Sequence, residues 1–417
     1  MSEKHHQIVI IGAGAAGITV AASLLRHSAG KTLDVALIDP AETHYYQPEF
    51  TLVGGGCTSL EKTRRPMKSL IPEGVEWLKQ AVSKVDPEVQ QVELVNGDSV
   101  SYDYLVVCPG LVLDWDAIEG AKQALGKNGV CSNYSPQFVE YTWECIQALK
   151  AGDTAYFTQA PLPFKCPGAP QKIAYLAADH LTKKGILDSC DVHFASPGPA
   201  MFGVPYFAKA LVKVADNYGI HKDLLHKLIK VDGEARKVTF EVVDGEQKGE
   251  IKEVHFDMLH ITPHQKTPAF LQGSAISNAA GYVDVHQHTL QHVKYPNIFA
   301  LGDAGSTPNS KTAAAVRKQA PTVVQNLNNL IDGKALEESY NGYASCPLVT
   351  ARGKVIMAEF IYGGKVTPTL PFIAPPNAES KAMWHVKATG LPIFYWHYML
   401  KGYEAFLEPT LEFNTGE

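Results

Sequence analysis

The sequence predicts an α/β protein with two Rossmann-like dinucleotide-binding domains and a C-terminal region that faces a membrane. Three observations support this fold class: a strand, a glycine-rich turn and a helix open the chain, a later short strand ends in a Gly-Asp turn before another helix, and an aromatic-rich segment lies near the C terminus. With 417 residues and 45% hydrophobic content, the chain is long enough for two or three packed units.

Composition excludes several classes of protein. The net charge of −6 does not favour a nucleic acid as partner. Seven cysteines in so long a chain do not make a disulfide scaffold, and since no CxxC pair occurs, no metal site is predicted. The N terminus shows neither a secretory signal nor a transit peptide, so we expect neither.

The N-terminal segment carries each part of a dinucleotide-binding unit in order. Ile8 to Ile11 reads as a buried parallel strand, a helix follows the turn, and a second strand ends at Asp39. The glycines permit a tight turn and close approach to a pyrophosphate, while the acid accepts hydrogen bonds from a ribose. The turn has the GxGxxG pattern, and its predicted dinucleotide-binding residues are Gly12, Gly14, Ala15, Ala16 and Gly17.

A second motif favours FAD over NAD as the dinucleotide. Tyr295 to Ser306 reads as a short apolar strand that ends in Gly302-Asp303, and a helix is predicted from Ser310. This arrangement resembles the second FAD fingerprint of flavoproteins with two dinucleotide-binding domains. The strand and turn at 102–110 likewise resemble the exit from the FAD domain in those enzymes.

The expected place of a second cofactor motif lacks the GxGxxG pattern. A predicted strand leads into Pro197 to Gly203, where prolines replace amides that a pyrophosphate needs and Met201 and Phe202 occupy positions of close approach. We therefore expect a Rossmann-like domain without a working NAD(P)H site. Electrons would then come from another donor, and thiols are the candidates.

Two of the cysteines differ from the others in context. Cys166 and Cys346 both precede a proline, and both lie in segments of small residues that predict loops. Lys165 adjoins the first, and a nearby cation favours a thiolate. Spacing alone leaves them as two unrelated thiols, because only the fold brings distant residues together.

Four segments, in this order, resemble sulfide:quinone oxidoreductases, especially the two-cysteine subgroup that includes the mitochondrial enzyme: HYYQPEFTLVGGG, KCPGAPQKI, GDAGSTPNSKTAAAV and YASCPLVT. The resemblance runs nearly end to end and implies that Cys166 and Cys346 are the redox pair. Cys131 lies where no cysteine is expected, and its role stays open. The positions that the resemblance implies for FAD contacts are Ala15, Ala16, Asp39, Gln47, Val82, Lys172, Asp303 and Lys311.

The resemblance also implies a reaction and its partners. Hydrosulfide attacks a disulfide between the two cysteines, or a sulfur-bridged form of it. Cys166 then carries the persulfide, Cys346 is the thiolate that adds to the flavin, and two electrons pass through FAD to a membrane quinone. The persulfide sulfur leaves to an acceptor or grows into polysulfide. A small sulfur acceptor and a homodimer are left open. Because no transit peptide is seen, a peripheral protein of a prokaryotic inner membrane is expected.

The C-terminal segment is the predicted membrane-facing part. Ala388 to Leu400 carries no formal charge and is too short to span a bilayer, so an interfacial segment is expected; the alternative is a helix packed on the protein's own core or in a dimer. Phe360, Tyr362 and Phe394 are the candidates for lining a quinone site. The segment's aromatic residues are Trp384, Phe394, Tyr395, Trp396, Tyr398, Tyr403 and Phe406.

The predicted domains are an FAD-binding domain in two parts (1–110 and 281–335), an inserted Rossmann-like domain (111–280) and a C-terminal quinone and membrane region (336–417). Two other functions are kept as alternatives. One is a type II NADH:quinone oxidoreductase, and the other is a flavin redox sensor that does not turn over.

Overall fold

The structure is a computed structural model that describes residues 3–28, 30–404 and 408–415. Phe406, the last of the predicted interfacial aromatics, lies outside the described residues. The predicted α/β class is confirmed, with parallel sheets in two successive parts of the chain. The boundaries of the domains stay a prediction.

The first part of the chain builds a mainly parallel sheet in the order β5-β2-β1-β8-β7-β6. The core of β1 is apolar on both faces and fully buried, as expected for a central parallel strand. The elements are β1 (Glu3–Ile11), α1 (Ala15–Arg26), β2 (Val35–Ile38), β3 (Thr43–Tyr45), α2 (Phe50–Gly54), β4 (Arg64–Pro66), β5 (Val75–Leu78), β6 (Val82–Asp86), β7 (Gln91–Leu94) and β8 (Ser99–Val107). The predicted strand, turn and helix are therefore present in the predicted order.

The middle of the chain builds a second parallel sheet in the order β10-β17-β11-β12-β13, with a small antiparallel sheet of β14, β15 and β16 beside it. The helix that follows the KCPG segment has a proline in its first turn, where the missing amide is tolerated. The elements are β9 (Val112–Asp114), α3 (Ala121–Ala124), β10 (Val130–Cys131), α4 (Val139–Ala148), β11 (Thr154–Thr158), α5 (Ala169–Lys184), β12 (Asp191–Ser196), α6 (Pro205–Asn217), β13 (His221–Leu224), β14 (His226–Asp232), β15 (Lys237–Val242), β16 (Ile251–His255), β17 (Met258–His260) and β18 (His264–Lys266).

The chain then returns to the first sheet. Strand β19 (Ile298–Ala300) pairs parallel with the C-terminal half of β8, and helix α7 (Ala313–Ile331) follows. The helix begins three residues later than predicted, because Thr312 is extended and its hydroxyl caps the amide of Ala315. The first and second glycine motifs are therefore attached to the same sheet.

The C-terminal part packs against both preceding parts. Its elements are the hairpin β20 (Ala344–Ala351) and β21 (Lys354–Phe360), helix α8 (Lys381–His385), a π-helical segment (Val386–Gly390) and helix α9 (Leu391–His397). Within residues 3–28, 30–404 and 408–415, no helix combines the length and apolar character needed to cross a bilayer. Tyr395 and Trp396 are buried, so part of the predicted interfacial segment packs on the protein's own core.

A buried histidine fastens this C-terminal part to the N-terminal glycine turn. His44 Nδ1 donates to the carbonyl of Ala13 at 3.1 Å, and His44 Nε2 accepts from the hydroxyl of Tyr395 at 2.6 Å. Because a carbonyl can only accept, the ring is in its neutral Nδ1–H form. Burial lowers the pKa of His44 to about 4, which keeps this arrangement at neutral pH.

Candidate redox site

The glycine turn after β1 has the geometry of a dinucleotide cradle. A Cβ on Gly12 would lie 2.5 Å from the carbonyl of Cys108, and one on Gly17 would lie 1.8 Å from the carbonyl of Gly12, so neither position tolerates a side chain. A Cβ on Gly14 meets no protein atom within 4 Å. This open side, at the N terminus of α1, is where a pyrophosphate approaches the backbone.

Asp39 lies at the predicted place beside this turn. Its carboxylate accepts the amide of Ala13 at 2.7 Å and the amide of Ala41 at 2.8 Å. Ala15 and Ala16 form the first turn of α1 next to it. The acid at the end of β2 therefore meets the glycine turn, and its contact with a ribose stays a prediction.

The second FAD fingerprint, at Gly302 and Asp303, contacts the helix that follows the N-terminal glycine turn. A Cβ on Gly302 would contact the Cβ of Ala16 at 3.6 Å, and the amide of Gly302 donates to Gln319 Oε1 at 2.8 Å. Burial raises the pKa of Asp303, while the ammonium groups of Lys165 and Lys311 oppose that rise. The Gly-Asp turn is thus held between α1 and α7.

Lys311 lies on the same side of the site as Asp303. Its Nζ donates to the carbonyl of Gly305 at 2.5 Å and lies 5.1 Å from the centre of the Tyr282 ring. Burial lowers the pKa of Lys311 to about 8, partly offset by Asp303. A lysine with a pKa near neutrality can change its charge with a change in a neighbouring anion.

The loop that carries Cys166 is tied to this fingerprint. The amide of Cys166 donates to the carbonyl of Lys311 at 2.8 Å, and the hydroxyl of Tyr134 donates to the carbonyl of Cys166 at 3.3 Å. Cys166 itself has φ of +52°, a conformation that non-glycine residues rarely adopt. Backbone bonds and prolines thus fix the direction of this half-buried thiol.

Lys172, rather than the adjacent Lys165, is the cation at the sulfur. Its Nζ lies 3.4 Å from Cys166 Sγ, within hydrogen-bonding distance for sulfur. Burial lowers the pKa of Lys165, and the charges of Asp303 and Cys166 oppose that shift. Lys172 is in the first turn of α5, which brings it back over the loop.

Cys346 lies beside Cys166, but not in the predicted loop. It is a buried residue of strand β20, paired with Ala358 of β21. A Cβ on Gly168, two residues after Cys166, would lie 3.9 Å from the Cβ of Cys346. The loop prediction was wrong because the proline that follows Cys346 is accommodated in a two-stranded sheet, where a strand edge needs no amide at that position.

The two cysteines also interact electrostatically. Burial raises the pKa of Cys346, the charge of Cys166 raises it further, and Lys172 opposes both effects. All seven cysteines lie within the described residues and carry free thiols. The structure thus brings together two thiols that are distant in the sequence, with one ammonium group acting on both.

Sequence reasoning missed one residue of the site, Lys387. It is only 2% exposed, and its Nζ donates to the carbonyl of Pro48 at 2.9 Å, next to the predicted FAD contact Gln47. Lys387, which directly precedes the predicted interfacial segment, is therefore buried in the protein. A single lysine between long apolar and aromatic stretches was the available signal, since such a residue needs a specific partner.

The remaining predicted cofactor contacts lie at the edges of the same region. Gln47 is exposed in a short 3₁₀ turn (Gln47–Glu49), and Val82 begins β6. Val82 packs against the core that contains Ile11 and Ile38, at the ends of the strands that flank the glycine turn. Their contacts with a cofactor stay predictions.

The three quinone candidates do not form one cluster in the described part of the chain. Phe360 packs edge-on against Phe202, with ring centres 5.9 Å apart, in the core that also contains Cys346. Tyr362 and Phe394 border a different core, and the hydroxyl of Tyr362 donates to the carbonyl of Gln287 at 2.9 Å. The three candidates are therefore divided between two hydrophobic cores.

The loop after β12 is filled by its own side chains. Met201 and Phe202 are buried in the core of the second sheet, and the side-chain amide of Gln171 donates to the carbonyl of Met201. Helix α6 then begins with Pro205, which has no amide to offer a phosphate. A nicotinamide dinucleotide would need accessible backbone amides in this loop.

The residues present fit FAD. The open face at Gly14 offers backbone amides to a pyrophosphate, and Asp39 is the acid for a ribose. The buried Asp303 and Lys311 offer groups for a ribityl chain and a flavin ring. FAD is the cofactor of this class of protein. The fold and the site therefore define a flavoprotein with two dinucleotide-binding domains and a cysteine pair.

Comparisons with known proteins agree with that class. Residues 6–135 match the family described as "Pyridine nucleotide-disulphide oxidoreductase". The mitochondrial sulfide:quinone oxidoreductase of Dictyostelium discoideum is 43% identical over 397 residues, which cover 95% of this chain and 86% of that protein. The chain belongs to the sulfide:quinone oxidoreductase family.

A comparison of folds finds the same architecture at lower sequence identity. The crystal structure of the sulfide:quinone oxidoreductase from Aquifex aeolicus superposes with a TM-score of 0.79 at 20% identity, covering 96% of this chain and 92% of that one. The type II NADH:quinone oxidoreductase of Staphylococcus aureus is a more distant relative, at 22% identity over 361 residues. The Dictyostelium relative is mitochondrial by name, so the expectation of a prokaryotic membrane finds no support here.

Gly14→Val should lower the flavin content of the purified protein. Because a Cβ at Gly14 meets no protein atom, the fold tolerates it, and only the approach of the cofactor is obstructed. We expect a folded protein with roughly a tenth of the wild-type flavin per chain, measured by absorbance after denaturation.

Gly203→Val is the matched control, because a Cβ there also meets open space. It should retain full flavin content. Equal flavin in both variants would contradict the assignment of the N-terminal turn as the cofactor cradle.

Proposed function

We propose that this protein oxidises sulfide through the Cys166 and Cys346 pair and delivers the electrons, by way of FAD, to a quinone. The observation that carries the proposal is the meeting of the two cysteines next to Lys311 of the second fingerprint. Membership of the sulfide:quinone oxidoreductase family supports it. When bound, FAD supplies a two-electron acceptor between the sulfur chemistry and the quinone.

The two cysteines divide the sulfur chemistry between them. Hydrosulfide attacks a Cys166–Cys346 disulfide, a new S–S bond forms at Cys166, and the bond to Cys346 breaks, leaving Cys346 as a thiolate. The half-buried Cys166 is the sulfur that an incoming anion can reach, whereas Cys346 is buried in β20. The outer sulfur of the persulfide then transfers to a small nucleophilic acceptor, which leaves Cys166 as a thiolate. The Cys166–Cys346 disulfide re-forms as the two thiolates give up two electrons, for which bound FAD would be the acceptor.

The lysines orient and stabilise the anionic partners of this chemistry. Lys172, 3.4 Å from Cys166 Sγ, stabilises negative charge on the attacked sulfur and opposes the rise in the pKa of Cys346. The backbone carbonyl of Lys311 accepts a hydrogen bond from the cysteine loop. The ammonium group of Lys311 is placed to balance negative charge on the cofactor. Both side chains are buried, where such interactions are stronger than in water.

Two alternatives are less well supported. A type II NADH:quinone oxidoreductase needs an open dinucleotide site, and the loop at Met201 and Phe202 is filled. A flavin redox sensor without turnover would keep the cysteine pair but needs no route to a quinone. Two observations distinguish these alternatives from the proposed function. Bleaching of the flavin by NADH rather than sulfide would indicate the NADH enzyme, and failure of a quinone to restore the colour after sulfide would indicate the sensor.

We also propose that the C-terminal part docks on a membrane, from which a quinone reaches the site. Phe372 is 80% exposed and Ile373 is 44% exposed in the loop before α8, and Ile393 is 51% exposed on α9. Such exposed apolar side chains near the predicted quinone contacts support an interfacial role. Phe360, Tyr362 and Phe394 remain the proposed quinone contacts.

Cys166→Ser and Cys346→Ser should each reduce sulfide-dependent quinone reduction by roughly a thousandfold or more, because the disulfide that accepts hydrosulfide cannot form. The measurement is stopped-flow absorbance with sulfide and then decylubiquinone. Both variants should keep their flavin, so that the loss reports chemistry and not cofactor binding.

Cys190→Ser, which removes a half-buried thiol outside the site, should turn over like the wild type. Normal turnover in either Cys166→Ser or Cys346→Ser would refute the proposed reaction. Bleaching by sulfide without recovery after quinone would favour the sensor instead.

The double variant Phe372→Ser/Ile373→Ser should sediment with liposomes several-fold less than the wild type, since it removes apolar area that would enter the interface. Val89→Ser, which removes a side chain 65% exposed in the N-terminal part, is the control and should bind as before. Equal sedimentation of all three proteins would contradict docking through this loop.

A further inference from the structure

Lys387 and Glu49 place opposite charges in the protein interior beside the cysteine pair. Lys387 is 2% exposed and Glu49 is 5% exposed, although they are far apart in the sequence. Taking either charge out of water is costly unless the surroundings compensate it. The sulfur chemistry above uses neither residue.

The backbone places the lysine at this point. Lys387 lies in the π-helical segment (Val386–Gly390), and such segments are often found at functional sites. Its Nζ donates to the carbonyl of Pro48, the residue before Glu49, and lies 5.8 Å from the centre of the Tyr46 ring. The C-terminal part thus inserts one ammonium group against the turn that carries Glu49.

Charged groups from three other parts of the chain face this pair. Lys387 faces Lys172 of α5, which repels it, and Glu49 and Cys166, which attract it. Glu49 in turn faces Lys387 and the exposed side chains of Lys62 and Arg65. Glu49 is therefore the carboxylate placed between a buried cationic site and cations at the surface.

The protonation of both groups follows from this arrangement. The pKa of Lys387 is lowered to about 8, first by burial and then by the charge of Lys172, while Glu49 and Cys166 oppose the shift. Burial raises the pKa of Glu49, while Lys387, Lys62 and Arg65 lower it. Burial, followed by the charge of Glu49, also raises the pKa of the Tyr46 hydroxyl, so that group stays neutral.

We propose that Glu49 is the counter-charge that keeps Lys387 an ammonium ion at neutral pH, so that Cys166 works between two cations, Lys172 and Lys387. Glu49 is then a positioning residue, since it acts through Lys387 and does not touch the sulfur. The consequence for catalysis rests on the proposed function. The pairing of the two charges does not.

A double-mutant cycle in thermal stability tests the pairing on the flavin-loaded protein. Lys387 has a folded-state pKa near 8, below the usual 10.5, so its burial destabilises the fold at lower pH and this cost fades as the pH rises above 8. At pH 7, Glu49→Gln should lower the melting temperature by about 2 °C more in the wild type than in Lys387→Met. At pH 9.5, where Lys387 is neutral, this difference should vanish.

Glu61→Gln is the matched control, because that carboxylate is 73% exposed and pairs with Arg64. It should show no coupling to Lys387→Met at either pH. No coupling of Glu49 at pH 7, or the same coupling at both pH values, would overturn the proposal, since the first denies an interaction and the second an interaction between charges. If Lys387→Met does not fold, Lys387→Gln replaces it in the cycle.

The pH profile of sulfide consumption gives a second readout. Glu49→Gln should move the alkaline limb of the profile to lower pH by about one unit, because Lys387 then loses its proton sooner. Glu61→Gln should leave the limb in place, and Glu49→Asp should restore most of the wild-type profile. An alkaline limb that does not shift in Glu49→Gln would contradict the role of Glu49 in turnover. A wild-type protein that consumes no sulfide would instead refute the proposed function, and the double-mutant cycle in stability would still decide the pairing of Glu49 with Lys387.

Discussion

One backbone hydrogen bond connects the parts of this protein that have to act together. The amide of Cys166 donates to the carbonyl of Lys311, so the cysteine loop of the second sheet is fastened to the second fingerprint of the first sheet. The prolines around Cys166 restrict the loop, and strand β20 then places Cys346 against it. This contact joins the loop that carries the thiol directly to the proposed cofactor cradle.

Buried lysines are the second constraint on the site. Lys172, Lys311 and Lys387 are each less than a tenth exposed, which is rare for lysine. They lie beside the two thiols of the proposed redox pair and around the proposed cofactor cradle. Their burial is costly in a resting protein, and in the proposed reaction each cation would stabilise negative charge in a site shielded from water.

The sequence predicted the elements of the proposed cofactor cradle in the observed order because those elements are close along the chain. A strand, a glycine turn and a helix are local signals, and Asp39 follows at the end of the next strand. The spacing of Cys166 and Cys346 contained no such signal, and their pairing came only from the resemblance to a family. The strand at Cys346 was missed because a proline and small residues resemble a loop when the partner strand is not considered.

Lys387 and His44 show the same limit more clearly. Each acts through a partner hundreds of residues away, Pro48 for the lysine and Tyr395 for the histidine. An isolated polar residue in an apolar segment indicates that a partner exists, but the identity of the partner depends on how the C-terminal part folds back onto the N-terminal turn. Tertiary packing decides it, and no local pattern encodes it.

If Cys166 and Cys346 form one redox pair, peptide mapping of the oxidised, flavin-loaded protein will detect the bond between them. After alkylation of free thiols and digestion without reductant, mass spectrometry should find the peptides of Cys166 and Cys346 joined by two or three sulfur atoms, and the other cysteines alkylated. Recovery of both as separately alkylated peptides from active enzyme, or a bond from either to another cysteine, would contradict the account.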